Sequence, residues 1–214
     1  DDLWRQQWPG GTYNSGFTRA WLAQRDAEIQ VGGMAWDQAR IDAGDTQAAA
    51  NQAIRSQNFD FERFGRAIEN FRPTLEARRV ESVLDRIDVP VYLTGAWQDE
   101  QTGPRFATML QNFTSTDKAK FILFNGHHPD GYAPTNLTRW LEFLQLYVGK
   151  QVPKVNDVVR QGSAAQFEDA FGAPGLALGP DRFADLQPDQ YQQALARWEA
   201  DPKVTVRFEA GAPD

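Results

Sequence analysis

Two short apolar runs end in turns that carry chemically reactive side chains. The first run, Val89–Trp97, leads into Asp99, and the second, Lys120–Gly126, leads into His127 and His128. The segment between them has helical periodicity, so the three pieces form a β-α-β unit. Parallel strands present their carboxyl ends at one edge of a sheet, and we expect the carboxylate and an imidazole to meet there. Such an aspartate fixes the histidine tautomer and stabilises the imidazolium that forms when the histidine takes a proton from a serine.

The chain supplies an acid and a base for a triad but no recognisable nucleophile. In α/β-hydrolases the chain order is nucleophile, acid, histidine, and the nucleophile occupies a G-x-S-x-G elbow between a strand and a helix. No such motif occurs in the 214 residues, and Ser15 lacks both the preceding strand and the required glycine. Ser15 fits a helix N-cap better. The competing explanation for the pair is that Asp99 caps the helix beginning at Pro104 and that both histidines lie on a surface loop.

A metal site at the second turn is a weaker alternative. His127, His128 and Asp130 are all potential ligands, but adjacent histidines at a strand end point apart and rarely share one ion. We therefore predict no metal and no other cofactor. Glu100 is a second candidate acid, although Asp99 is better placed after the strand.

The composition excludes several classes of function. A formal charge of −7 argues against nucleic-acid binding, which needs a basic surface. No apolar run approaches the roughly 18 residues of a membrane span. The absence of cysteine excludes disulfides, thiolate catalysis and Cys-ligated zinc. The composition does not decide whether the protein is cytoplasmic or secreted. It also leaves the oligomeric state open, and a homo-oligomer is one possibility.

The pattern along the chain predicts an α/β protein in three segments. Residues 1–85 have mostly helical patterning, with Phe17 and Trp21 on one aromatic face and a capped helix that begins at Asp45. Residues 86–150 contain the two strands, which are apolar on both faces, as is typical of parallel strands covered by helices on both sides.

Two amphipathic helices follow the strands in the second segment. The first opens at Pro104, a favourable first helical position, and the second spans Thr138–Val148. The apolar face of the first consists of Phe106, Met109, Leu110 and Phe113. The apolar face of the second consists of Trp140, Leu141, Leu144 and Val148.

The last segment, residues 151–214, is predicted to begin with a long irregular connection that runs through Pro180. A helix at 188–200 and an alternating, half-buried strand at 203–209 follow. That strand has no hairpin partner in reach, and two parallel strands alone do not make a stable sheet. We therefore expect the chain to be a fragment or an excised domain of a larger protein.

The two reactive turns resemble those of a known family, the serine hydrolases related to cocaine esterase, X-Pro dipeptidyl-peptidase and α-amino-acid ester hydrolase (the CocE/NonD group). Ile87–Asp99 is similar to that family's strand and acid turn. Asn125–His128 is similar to its histidine turn.

The same resemblance covers other parts of the chain. Trp8–Gly11, followed by Phe17 and Trp21, is similar to the beginning of the family's helical cap, and the helix at 188–200 with Val204–Phe208 is similar to the approach to its C-terminal jelly-roll. The three segments are thereby implied to be, in order, a helical cap, the last strands and helices of an α/β-hydrolase core, and a connection toward a β-sandwich domain.

Carried over position by position, the resemblance implies that Asp99 is the triad acid. It implies that His128 is the base, because many members read Asn-Gly-x-His at this turn and His127 stands at x. The serine and the oxyanion donors would lie N-terminal to Asp1. The implied activity is hydrolysis of ester or amide bonds of a small molecule through an acyl-enzyme, and the 214 residues alone are predicted to be inactive. The candidate walls of the acyl pocket are Trp97, Trp21 and Phe17, with Trp4 and Trp8.

Two rival functions stay open. One is another capped α/β-hydrolase, such as an epoxide hydrolase or a dehalogenase, with an upstream aspartate as nucleophile. The other is a binding module that keeps the fold without an active site. A hydrogen-bond distance between Asp99 and His128 supports a triad, whereas side chains that face apart favour the binding module.

Overall fold

The structure, a computed structural model, describes residues 6–30, 35–55, 57, 60–67 and 80–208. The protein mixes helices and strands, and its described strands form one small parallel sheet. The chain divides into two compact units, Asp1–Ser82 and Val83–Asp214, so the second and third predicted segments belong to one unit. Among the described residues, no helix has both the length and the apolar character needed to cross a membrane.

The described part of the first unit is built from helices. Asp45 caps the third of them, as predicted, because its Oδ1 accepts hydrogen bonds from the N–H groups of Gln47 and Ala48, both at 3.0 Å. Leu22 of the first helix is completely buried. The helices are α1 (Thr18–Gln30), α2 (Ala35–Asp42), α3 (Thr46–Arg55) and α4 (Phe61–Ala67), preceded by a 3₁₀ turn at Pro9–Gly11.

A three-stranded parallel sheet organises the second unit. Strands β1 (Val91–Ala96), β2 (Ala119–Phe124) and β3 (Val204–Arg207) lie side by side in that order. Every residue of β2 is buried, since strands pair with both its edges and helices cover both its faces. The two apolar runs predicted as parallel strands are confirmed.

The strand predicted at 203–209 is found at Val204–Arg207, and its partner is β2. This partner is a parallel strand reached through a long helical crossover rather than a hairpin, which is why no neighbouring segment predicts the pairing. The predicted alternation is present with its faces reversed, because Val204 and Val206 are each 45% exposed and Arg207 is buried. The layer on the valine face packs on β1 and β2 and leaves β3 uncovered.

That layer is a 3₁₀ helix, Pro104–Asn112, where the pattern predicted an α-helix. Its Leu110 and the following Phe113 are buried against β2, and the predicted apolar face is confirmed. Gly95 permits the close approach of this layer to β1, since a Cβ there would lie 2.0 Å from the ring of Phe106.

The opposite face of the sheet is covered by α5 (Pro134–Tyr147) and by α7 (Tyr191–Ala200). Leu146, Phe183 and Trp198 form the buried core between these helices and the sheet. The helices predicted at 138–148 and 188–200 are confirmed with shifted ends, because α5 begins at Pro134 and ends at Tyr147 and α7 begins only at Tyr191, as is usual for helix boundaries.

Another helix, α6 (Asp157–Phe171), occupies the segment that was predicted to be an irregular connection. The side chain of Asn156 caps its start by accepting a hydrogen bond from the N–H of Val158 at 2.8 Å. Gly172, in the left-handed conformation with φ of 65°, ends it. The prediction was wrong because the glycines and prolines that suggested a loop follow this helix, and because its apolar residues do not form one continuous face.

Helix α5 buries a different face from the predicted one. Val148 is 73% exposed and Trp140 is 47% exposed, whereas Thr138, Glu142 and Leu146 are buried. Leu141 of the predicted apolar face does pack against a buried cluster, so the prediction was wrong for Trp140 and Val148.

The reason lies in a cluster of charges around Glu142. Glu142 Oε2 lies 3.0 Å from Arg182 Nη2 and 3.2 Å from Arg139 Nη1. Arg182 also binds Asp201 at 2.9 Å, next to the end of α7. Because two guanidinium groups compensate the buried carboxylate, a polar face of α5 packs inward.

We expect Arg182→Met to lower the free energy of unfolding by about 3 kcal/mol, because the buried carboxylate of Glu142 loses the nearer of its two guanidinium partners. Burial raises the pKa of Glu142 to about 7. The loss should therefore be smaller at about pH 5, where the carboxyl binds a proton, than at about pH 8. The double variant Arg182→Met/Glu142→Met should recover most of the loss. Urea denaturation measures the stability of Arg182→Met, of Glu142→Met and of the double variant. A loss in the double variant equal to the sum of the two single losses would contradict the prediction.

Candidate active site

The ends of β1 and β2 bring the two predicted turns together. Backbone hydrogen bonds continue the pairing beyond the strands, from the Trp97 N–H to the Phe124 carbonyl at 2.9 Å and from the Gln98 N–H to the Gly126 carbonyl at 3.0 Å. Both turns therefore leave the sheet at the same level, on its carboxyl edge.

At this edge the carboxylate of Asp99 contacts the ring of His128. Asp99 Oδ2 lies 2.8 Å from His128 Nδ1, while Oδ1 accepts hydrogen bonds from the N–H groups of Gln101 at 2.7 Å and Thr102 at 2.8 Å. Because an ionised carboxylate only accepts, Nδ1 carries the shared proton, and Nε2 of the neutral ring is left as an acceptor. The Asp99 side chain is 10% exposed and that of His128 is 43% exposed, so the ring is accessible while the carboxylate is shielded.

Hydrogen bonds hold the pKa of Asp99 below its usual value. Burial by itself raises this pKa, but the N–H of Thr102, the His128 ring and the N–H of Gln101 together outweigh it. The competing explanation, that Asp99 only caps the helix beginning at Pro104, is therefore incomplete. Oδ1 binds the turn that follows Asp99 and Oδ2 binds the histidine. The 3₁₀ helix at Pro104 itself has no side-chain cap.

The histidine turn is held by two carboxylates that sequence reasoning did not assign to it. Asp130 Oδ2 accepts a hydrogen bond from the N–H of His127 at 2.7 Å, and Glu100 Oε2 accepts one from the N–H of His128 at 3.2 Å. The ring of His127 is largely exposed, with its Nδ1 3.8 Å from Asp130 Oδ2. His128 is therefore the histidine that contacts Asp99.

A cavity of about 400 Å³ lies beside the pair. Five consecutive residues of β1, Tyr92–Ala96, line it, although successive side chains of a strand point to opposite faces. The cavity therefore follows the edge of β1, which pairs with no second strand in the part of the chain that is described. Tyr132 and Trp140 form an aromatic wall and are 66% and 47% exposed.

The predicted pocket aromatics fall into two groups. Trp97 packs against Phe106, with ring centroids 5.8 Å apart, in the core under the 3₁₀ helix, and it does not line the cavity. Phe17 and Trp21 stack on each other in the first unit, with centroids 5.9 Å apart. Trp4 lies outside the described residues. Substrate contact by these side chains stays a prediction.

Among the described residues, no Ser, Thr or Tyr hydroxyl forms a hydrogen bond with the ring of His128. Three residues that carry a hydroxyl group, Tyr92, Thr94 and Tyr132, line the cavity. Ser15 lies in the turn just before α1. In the same described ranges, no group of three or more His, Asp or Glu residues is arranged to hold a metal ion.

Comparison with known proteins adds no relative to this picture. No protein-family model matches the chain, and no curated protein or solved structure is significantly similar to it. The functional interpretation therefore depends on the geometry of the site.

Asp99 is expected to make stability fall in acid. Its pKa is lower in the folded chain than the unfolded value of about 3.9. Its stabilising contribution is therefore complete above that value and is lost as the pH falls through the lowered pKa. Asp99→Asn should be less stable than the wild type at about pH 6, and the difference should shrink toward about pH 2.5. Urea denaturation tests this, and a pH-independent difference would argue against it.

Gly126 is expected to be essential to the histidine turn. A Cβ at this position would lie 2.7 Å from Asp130 Oδ2 and 3.0 Å from the ring of Phe124. Gly126→Ala should therefore lower the free energy of unfolding by about 1–3 kcal/mol. Gly131→Ala is the matched control, because no atom lies within 4 Å of its Cβ position, and it should change stability by less than about 0.5 kcal/mol. Equal effects of the two substitutions on thermal unfolding would refute this.

Proposed function

We propose that the chain carries the acid and the base of a serine hydrolase of the α/β-hydrolase type. Such an enzyme cleaves ester or amide bonds of a small molecule through an acyl-enzyme. The observation that carries the proposal is the 2.8 Å contact between Asp99 Oδ2 and His128 Nδ1. The contact lies at the carboxyl edge of a parallel sheet, where open α/β sheets bind their ligands.

In this mechanism each group has one task. Asp99 orients the imidazole and stabilises its charged form without accepting the proton. His128 Nε2 takes the proton from a serine hydroxyl as it attacks the acyl carbon, and then delivers it to the leaving group. The exposed ring and the shielded carboxylate are suited to these tasks.

The serine is proposed to come from a strand N-terminal to this chain that pairs with the open edge of β1. Strand β1 has apolar side chains on both faces, and proteins normally cover an edge of that kind. A parallel strand in the cavity along Tyr92–Ala96 would end beside His128, where an elbow would present its nucleophile. This explains an acid and a base without a hydroxyl partner among the described residues.

The finer architecture belongs to the same proposal. The three-stranded sheet would be the last part of a hydrolase core, the first unit a helical cap, and β3 the approach to a C-terminal β-sandwich domain. The acid and the histidine on successive parallel strands support the first of these assignments.

The rival functions make different chemical predictions. A non-catalytic module has no need to hold an aspartate against an accessible histidine, so the contact favours the triad. An aspartate nucleophile would use the same acid, Asp99, and the same base, His128. A single turnover in ¹⁸O-water would then leave label in the carboxylate of the nucleophile, because water attacks that carboxyl carbon. A serine nucleophile leaves no label in the protein.

In the full-length protein, we expect His128→Ala to reduce kcat on a p-nitrophenyl ester by a factor on the order of 10⁶. Asp99→Asn should reduce it by roughly 10⁴, because the tautomer is no longer fixed. His127→Ala is the matched control and should remain active, since its ring does not contact Asp99.

The 214-residue chain alone should show no turnover of the same ester and no labelling by a fluorophosphonate. Activity of this chain, or activity retained in His128→Ala, would overturn the proposed function. Loss of activity in His127→Ala would move the base to the neighbouring ring.

A further inference from the structure

A line of buried hydrogen bonds links β3 to the histidine turn. Arg207 Nη1 donates to Asn136 Oδ1 at 3.0 Å, and Asn136 Nδ2 donates to the carbonyl oxygen of Asp130 at 3.0 Å. Arg207 is 6% exposed and Asn136 is 3% exposed. From β1, the hydroxyl of Tyr92 donates to the carbonyl oxygen of Asn136 at 3.3 Å. Asn136 is therefore held by the two outer strands of the sheet.

The other end of this line is the residue that shapes the turn. Asp130 lies in the 3₁₀ helix His128–Tyr132. Its carboxylate accepts the N–H of His127 at 2.7 Å, and its own N–H donates to the His127 carbonyl at 3.1 Å. Any shift of Asp130 moves the peptide that carries the catalytic ring. Because Asp99 is fixed by its own turn, the contact between acid and base depends on where the histidine turn lies.

Arg207 carries a desolvation penalty at this position. The strand period directs it to the buried face, whereas Val204 and Val206 face outward. Burial lowers the pKa of the guanidinium, because a site shielded from water disfavours its charge. An aliphatic side chain would fill the same space without that penalty. The guanidinium is therefore better explained by the side chain it holds than by packing.

We propose that Arg207 and Asn136 are positioning residues that place the His128 ring against Asp99 by holding Asp130. The catalytic meaning of this inference rests on the proposed function, because it takes His128 as the base. Its structural claim concerns only the placement of the ring and can be tested separately. Strand β3, which lies farthest from the open edge of β1, thus acts on the site without touching a reacting atom.

The chain contains two histidines, so NMR of ¹⁵N-histidine-labelled chain resolves the Nδ1 proton of His128. We expect Arg207→Gln and Asn136→Asp each to make this proton exchange with solvent about tenfold faster, the equivalent of one weakened hydrogen bond. Asn136→Asp keeps an acceptor for Arg207 and replaces the donor to Asp130 by a carboxylate oxygen, which cannot bind that carbonyl oxygen. It therefore decides the question if Arg207→Gln does not fold. Arg207→Lys should restore part of the protection.

Arg160→Gln is the matched control. Arg160 binds Asp181 at 2.7 Å and the Leu178 carbonyl at 3.2 Å, so its loss weakens the fold away from the turn and should leave the exchange unchanged. In the full-length protein, Arg207→Gln should lower kcat by about the same tenfold factor with KM unchanged.

Wild-type exchange in both test variants, or equal acceleration in Arg160→Gln, would overturn the positioning role and leave the proposed function standing. A wild-type chain with no protected Nδ1 proton would instead contradict the contact between Asp99 and His128, and with it the proposed function.

Discussion

The parallel register of β1 and β2 is the constraint on which the site depends. Ala96 and Phe124 end their strands side by side, so the turns that follow leave the sheet at one level and Asp99 reaches the ring of His128. A slip of one residue would turn every side chain of β1 to the other face and would separate the pair. The core opposes such a slip, since the 3₁₀ helix Pro104–Asn112 packs against apolar side chains of both strands.

On the face of the sheet covered by α5 and α7, charged side chains fix the orientation of the helices. Lys120 of β2 donates to the carbonyl oxygens of Glu199 and Asp201 at the end of α7, and Arg182 joins Asp201 to Glu142 of α5. Hydrophobic contact alone does not specify direction, whereas hydrogen bonds do. Desolvation opposes each of these groups, and their partners hold the helices in one orientation on the sheet. The sheet whose carboxyl edge carries the acid and the base is thereby held in a fixed position against α5 and α7.

Signals contained within a few residues predicted the fold well. The strands were predicted because β-branched and aromatic runs bounded by turn residues need no distant partner to be recognised. Helix α6 was missed, since its main local signals are a single cap at Asn156 and a single glycine at its end. The buried face of α5 was assigned wrongly, because the charge of Glu142 is compensated by Arg182, which lies 40 residues later. Asp130 and Glu100 were visible as acids, but their hydrogen bonds to backbone N–H groups of the histidine turn were not.

The sequence by itself determined which groups are available for chemistry: an acid after one strand, two histidines after the next, no cysteine and no G-x-S-x-G motif. Only the tertiary structure decided which histidine pairs with the acid. His127 and His128 are chemically identical neighbours, and the choice depends on which ring faces Asp99 across the sheet edge. The tertiary structure also decided that β3 pairs with β2 and brings Arg207 toward the turn. Pairing between strands far apart in the chain leaves no local pattern in either strand.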